Sequence, residues 1–142
     1  MTNLKIYCVT NKEINFTHDI NYEIGWVGQG IAPKNYISCN EKDNIFYKEK
    51  YFSELTFHYW YWKNLQKLEN KDEWVGFCQK RRFWIKENID PKNINEANFK
   101  ENILSTKPKK WENYDAVVCK KIDVSKVKKM KSQVEDAVKV IT

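Results

Sequence analysis

Residues 4–12 read LKIYCVTNK. Leu4, Ile6, Tyr7, Cys8 and Val9 are apolar, β-branched or aromatic, and the run stops at the polar Thr10-Asn11-Lys12. That pattern is a buried strand entering a loop. It returns at residues 73–78, EWVGFC, which end at Gln79-Lys80-Arg81-Arg82, and at residues 114–119, YDAVVC. A helix is expected between the first two runs. Phe52, Leu55, Tyr59, Trp62, Leu65 and Leu68 recur at three- and four-residue steps over residues 52–68, with Ser53 placed to cap its start. Phe57, Trp60 and Tyr61 put aromatics on its other sides, so burial on more than one face is expected, and packing rather than propensity must hold it. A second amphipathic helix is expected over residues 125–141 (Val127, Met130, Val134, Val138, Ile141), and a short one around residues 96–104. Strands that are apolar throughout, separated by helices, define an α/β fold with a mostly parallel sheet and flanking helices.

Residues 33–50 read as a polar loop, and Gly25, Gly28 and Gly30 bracket a short strand or turn at Trp26-Val27. Their spacing does not make a dinucleotide-binding glycine motif. In a parallel sheet ligands bind beyond the carboxyl ends of the strands. Two groups fall there, Thr10-Asn11-Lys12 and Gln79 to Arg82.

The chain has 142 residues, 42% of them hydrophobic and 15% aromatic, enough for one core and too many for a disordered chain. No apolar run approaches the roughly 18 residues needed to span a bilayer. The first ten residues lack the basic and apolar regions of a signal peptide, so a cytoplasmic location with reduced thiols is expected. Cys8, Cys39, Cys78 and Cys119 show no CxxC spacing and read as small buried hydrophobes. The net charge is +6, unevenly placed. Residues 1–99 carry 12 Lys and 2 Arg against 13 acids, while residues 100–142 carry 11 Lys against 6. The two arginines of the whole chain are adjacent, Arg81 and Arg82, which suggests that guanidinium geometry is wanted there.

Three segments, IYCVTNKE (6–13), SELTFHYWYWKNL (53–65) and EWVGFCQKRRFW (73–84), together resemble the DUF4422 family of glycosyltransferase-like proteins found in bacterial capsule and lipopolysaccharide gene clusters. The family pattern runs strand–THK, ELT–YWxWKN and YIG–CHYRRYF, in this order. VGQGI (27–31) and DNI (43–45) resemble intermediate segments, and the likeness thins beyond residue 84. It implies a GT-A-like fold that transfers a sugar from a nucleotide-sugar donor to a polysaccharide or lipid-linked saccharide acceptor. By the same likeness, Thr10, Asn11 and Lys12 become donor-binding candidates. Lys80, Arg81 and Arg82 stand where ordinary GT-A enzymes keep an Asp-x-Asp metal motif, so no metal ligand and no cofactor is implied beyond the donor itself. Fixed cations can neutralise a departing diphosphate, and arginine forks bind phosphate oxygens bidentately. The family's two histidines are replaced by Asn11 and Gln79. Its members are longer, so a single truncated domain over residues 1–142, without the part that completes the acceptor side, is the expectation.

Each candidate has a plain structural alternative. Glu54 is a candidate catalytic carboxylate or a first-turn helix charge. Asp43 and Asn44 are sugar-hydroxyl contacts or turn formers. Tyr59, Trp60 and Trp62 are stacking platforms or core. The Lys-rich stretch 120–131 is a solvated face or a site of peripheral contact with the inner membrane. The alternative to a transferase is a non-catalytic nucleotide-sugar or saccharide-binding remnant. A small basic nucleic-acid binder is third, and nucleic acid is not the expected partner, because the aromatics cluster in one helix rather than interleaving with Lys along strands.

Overall fold

In the computed structural model, residues 4–15, 20–69 and 71–121 are described, with residues 123, 135, 138 and 139 beyond them. The chain forms two compact units, Met1–Pro108 and Lys109–Thr142. The first is a four-stranded sheet with order β3-β2-β1-β4, every neighbouring pair parallel. Its strands are β1 (Leu4–Thr10), β2 (Glu23–Trp26), β3 (Ile37–Ser38) and β4 (Trp74–Gln79). Helices α1 (Glu49–Phe52) and α2 (Leu55–Asn64) lie between β3 and β4, and α3 (Phe99–Asn102) follows. The α/β class with a parallel sheet is as expected, and β1 and β4 fall within one residue of the apolar runs that announce them. The short β3 lies inside the stretch read as a polar loop, and α1 begins at its end.

β1 is central. It pairs with β4 from Leu4↔Trp74 to Val9↔Gln79 and with β2 from Tyr7↔Glu23 to Thr10↔Trp26. Because successive side chains point to opposite faces, Tyr7 and Val9 look one way and Ile6 and Cys8 the other. The Tyr7 face packs on α2: the Tyr7 ring lies 5.7 Å from Phe57 and 5.2 Å from Tyr61, between centroids. These join Val9, Val27, Cys39 and Trp60 in the core. Glu69, just past α2, accepts from the Tyr7 hydroxyl at 2.7 Å and pairs with Lys5 at 3.1 Å, tying this layer to β1. The opposite face is closed by the chain after β4. The Trp84 indole lies over Gly76, Ile6's partner, and donates to the Phe77 carbonyl at 2.9 Å. The Tyr22 hydroxyl donates to the carbonyl of Leu104, which is buried beside Ile103.

Three sequence expectations are corrected. The helix over residues 52–68 is two helices, broken at Ser53, whose φ of 48° turns the chain between them. No side-chain bond from Ser53 caps α2, which begins after Glu54. The buried face of α2 is also not the one the spacing suggests. Thr56, Phe57, Trp60 and Tyr61 are buried, while Phe52, Leu55, Trp62 and Leu68 are exposed. The reason is steric. A Cβ on Gly25 would lie 2.6–2.8 Å from three carbons of the Phe57 ring, so the missing side chain is what lets that ring reach the sheet. The third correction concerns residues 114–119, which form no strand; Tyr114 is 62% and Val118 84% exposed, and Cys119 is exposed unlike the other three cysteines. Strand preference is chiefly a packing preference, and an unpaired apolar run gains nothing from it. The helix expected over residues 125–141 falls almost wholly outside the described residues, as does much of the Lys-rich stretch. Among the described residues no helix is long and apolar enough to cross a membrane.

Gly25→Ala is expected to destabilise the fold by about 1–3 kcal/mol, the usual cost of overpacking. Urea denaturation measures it, and Phe57→Leu in the same chain is expected to recover part of the loss. His58, packed at 4.3 Å on the Phe77 ring, supplies a second prediction. Burial holds its pKa below the ordinary 6.5, against a weaker upward pull from Glu54. Below about pH 6.5 the unfolded chain therefore binds a proton that the folded chain refuses, so stability falls as pH falls. His58→Gln is expected to flatten the drop in melting temperature between pH 7.5 and 5.5; an unchanged slope contradicts the assignment.

Candidate functional site

The chain leaves β1 for β2 on one side, and later crosses by α1 and α2 to β4 on the other side. The carboxyl ends of β1 and β4 thus flank the point where the topology reverses, where open α/β sheets place their ligands. After β1, the Thr10 hydroxyl, 3% exposed at the residue level, donates to the Lys12 carbonyl at 2.6 Å and accepts from the Lys12 amide at 3.1 Å. This tight turn leaves Asn11 and Lys12 exposed at its tip. The Tyr36 hydroxyl accepts from the Ile14 amide at 3.0 Å and anchors the loop beyond. A Cβ on Gly28 would lie 2.6 Å from the Asn11 carbonyl oxygen, so only glycine lets the loop sit this close.

After β4 the chain makes a second tight turn. Gln79 and Arg82 bridge antiparallel, with the Arg82 amide donating to the Gln79 carbonyl at 2.9 Å and the reverse bond at 3.3 Å. Lys80 and Arg81 form the tip. The Lys80 ammonium donates to Asn11 Oδ1 at 2.9 Å and joins the two turns. Between them lies a cleft of about 360 Å³, floored by Val9 and Val27 and walled by Asn11, Lys12, Lys80 and Arg81, with Ser53 and Glu54 from the start of α2. The Gln79 amide donates to Glu54 Oε1 and sets the carboxylate at the cleft wall.

The first cleft gathers three cations, Lys12, Lys80 and Arg81, with one carboxylate, Glu54. Partial desolvation, then the neighbouring Lys12 and Arg81, depress the Lys80 pKa below the ordinary lysine value. Among the described residues neither Lys12, Lys80 nor Arg81 is in a salt bridge; the ion pair Lys5–Glu69 lies elsewhere. Three like charges held together, none of them in an ion pair among the described residues, make a site for an anion. The same three residues also border a second, larger cleft of about 820 Å³, lined further by Ile14, Ile20, Ile94 and Phe99, by Asn15 and Asn95, and by Glu13, Glu96 and Lys100.

Of the residues singled out from sequence, Thr10, Asn11, Lys12, Glu54, Lys80 and Arg81 thus meet at one cleft. Arg82 lines neither cleft and serves the base of its turn. Asp43 and Asn44 also lie outside both. Asp43 accepts from the Tyr59 hydroxyl at 3.0 Å and, through its carbonyl, from Asn64 at 2.8 Å, while Asn44 closes its own turn onto Lys42 and Phe46. Trp60 is core, with its indole donating to the Glu41 carbonyl at 3.0 Å, and Trp62 is a half-exposed ring under Lys63. The second cleft was not foreseen. Its wall from residues 94–100 reads as an Asn-rich loop entering the short helix expected around residues 96–104, found as α3, and no spacing rule links it to the strand ends.

Over residues 5–141 the chain matches the model of a domain of unknown function, DUF4422, and it belongs to that family. No curated protein and no solved structure matches it.

Proposed function

We propose that the chain is a GT-A-like glycosyltransferase that binds the diphosphate of a nucleotide-sugar donor at Lys12, Lys80 and Arg81 and passes the sugar to a hydroxyl of a surface saccharide acceptor. The observation that carries this reading is the cluster of three cations, in no ion pair among the described residues, beside a polar cleft at the topological switch point. In the transfer, the bond between the anomeric carbon and the diphosphate oxygen breaks, and its electron pair stays on the diphosphate. An acceptor oxygen bonds the anomeric carbon, and its proton passes to the Glu54 carboxylate. The charge that grows on the leaving diphosphate meets cations already in place, which is where fixed electrostatics contribute most to rate. Arg81 grips two phosphate oxygens at once, whereas Lys12 and Lys80 act as point charges. Glu54 keeps one oxygen on Gln79 and leaves the other for a hydroxyl.

Thermal-shift and calorimetric titrations with a panel of nucleoside diphosphates and their sugars test the reading. At least one nucleotide is expected to raise the melting temperature. Arg81→Lys is expected to weaken its binding about tenfold, or about 1.4 kcal/mol, with Arg82→Lys nearly without effect. No stabilisation by any nucleotide, or equal losses in the two variants, overturns it. With a donor bound, Glu54→Gln is expected to abolish transfer while binding persists, which separates an enzyme from a binding protein.

A further inference from the structure

The cation cluster is a ridge shared by two clefts of different character, and a ligand centred on it reaches into both. The first cleft, about 360 Å³, offers Glu54, Gln79, Ser53 and Asn11, groups that both donate to and accept from hydroxyls. The second, about 820 Å³, has apolar walls of Ile14, Ile20, Ile94 and Phe99, with the amides of Asn15 and Asn95 and the charged Glu13, Glu96 and Lys100 among them. Resting on the donor-site reading above, we infer that the donor lies across the ridge with its nucleoside in the second cleft and its sugar in the first.

The chemistry of the two arms sorts them. A nucleobase is a flat ring with apolar faces and a polar edge, which suits an apolar slot with amides at its rim. A sugar is ringed with hydroxyls and suits the carboxylate, amide and hydroxyl of the smaller cleft. The larger cleft is also built before any ligand arrives. Ile14 is buried and held through its amide by Tyr36. On the facing lip, the Asn95 amide donates to Asn98 Oδ1 at 2.8 Å, and the Asn98 amide donates to Asn95 Oδ1 at 3.1 Å. The Asn98 Nδ2 further donates to the Asn93 carbonyl at 2.9 Å. This reciprocal lock fixes the start of α3 and leaves Asn95 Nδ2 to meet a base edge. Phe99 is braced by Phe83 at 4.9 Å with the rings perpendicular. A preformed slot of this kind spares the ligand the cost of ordering its walls.

The test compares calorimetric titrations of inorganic pyrophosphate with those of uridine, guanosine, adenosine and cytidine 5′-diphosphates. Pyrophosphate reads the ridge alone, and the excess affinity of a nucleoside diphosphate reads the nucleoside arm. The best of the four is expected to bind at least tenfold more tightly than pyrophosphate, a gain typical of one stacked base. Phe99→Ala and Ile94→Asn are each expected to cut that gain threefold or more. Ile94 sits on a loop and is half-buried, so its variant carries the test if Phe99→Ala fails to fold. Glu54→Gln, in the other cleft, is expected to leave the gain intact. The inference is overturned if the gain survives both second-cleft variants, if it disappears in Glu54→Gln instead, or if no nucleoside diphosphate exceeds pyrophosphate. Failure of every probe to bind, pyrophosphate included, overturns the donor-site reading itself and is told apart by that.

Discussion

The Phe57 ring lies so close to the backbone of Gly25 that no side chain fits between them. This contact decides how α2 rests on the sheet. With Phe57 over β2, Tyr61 meets Tyr7 and Phe77, and the indole of Trp60 reaches the Glu41 carbonyl. Just before the same helix, Ser53 and Glu54 arrive at the carboxyl ends of β1 and β4. Core and cleft are therefore set by one steric fact. A helix rotated to bury Leu55, Tyr59 and Trp62 would put a different residue beside Gln79.

The cleft is assembled from turns rather than from regular structure. Each strand end is closed by hydrogen bonds within four residues, Thr10 to Lys12 on one side and Gln79 to Arg82 on the other. The Lys80–Asn11 bond joins them. Short closed turns hold Lys12, Lys80 and Arg81 near one another despite their repulsion, and burial of β1 on both sides keeps the turns in register. Mutual repulsion in a folded protein is a cost that a bound anion removes. A polyanion at this spot is thus favoured by the same charges that the fold has to restrain.

Much of this was legible in the chain. LKIYCVT and WVGFC announce themselves as parallel strands by their apolar runs, the first buried and the second half-buried at the sheet edge, and the polar residues that end them are the cleft. The face of α2 was not legible. Aromatics stand on every side of SELTFHYWYWKNL, so periodicity alone does not choose among them, and the deciding partner, Gly25, is some thirty residues away. Residues 114–119 mislead for the opposite reason, since YDAVVC has strand composition but pairs with no strand among the described residues. Asp43 and Asn44 resemble ligand contacts because turn formers and sugar binders draw on the same residue types. The short helix within the wall formed by residues 94–100 is expected from local pattern, but its place beside the loop after β1 depends on tertiary contacts that local pattern does not record.

The central claim is that the switch point between β1 and β4 is an anion site. The most direct measurement is a titration of the ¹⁵N-labelled protein with inorganic pyrophosphate, followed through backbone amide shifts. The largest changes are expected at Asn11, Lys12, Lys80 and Arg81, saturating together. Changes centred elsewhere, such as on the Lys63–Trp62 face of α2, or no saturable change at all, would contradict the account.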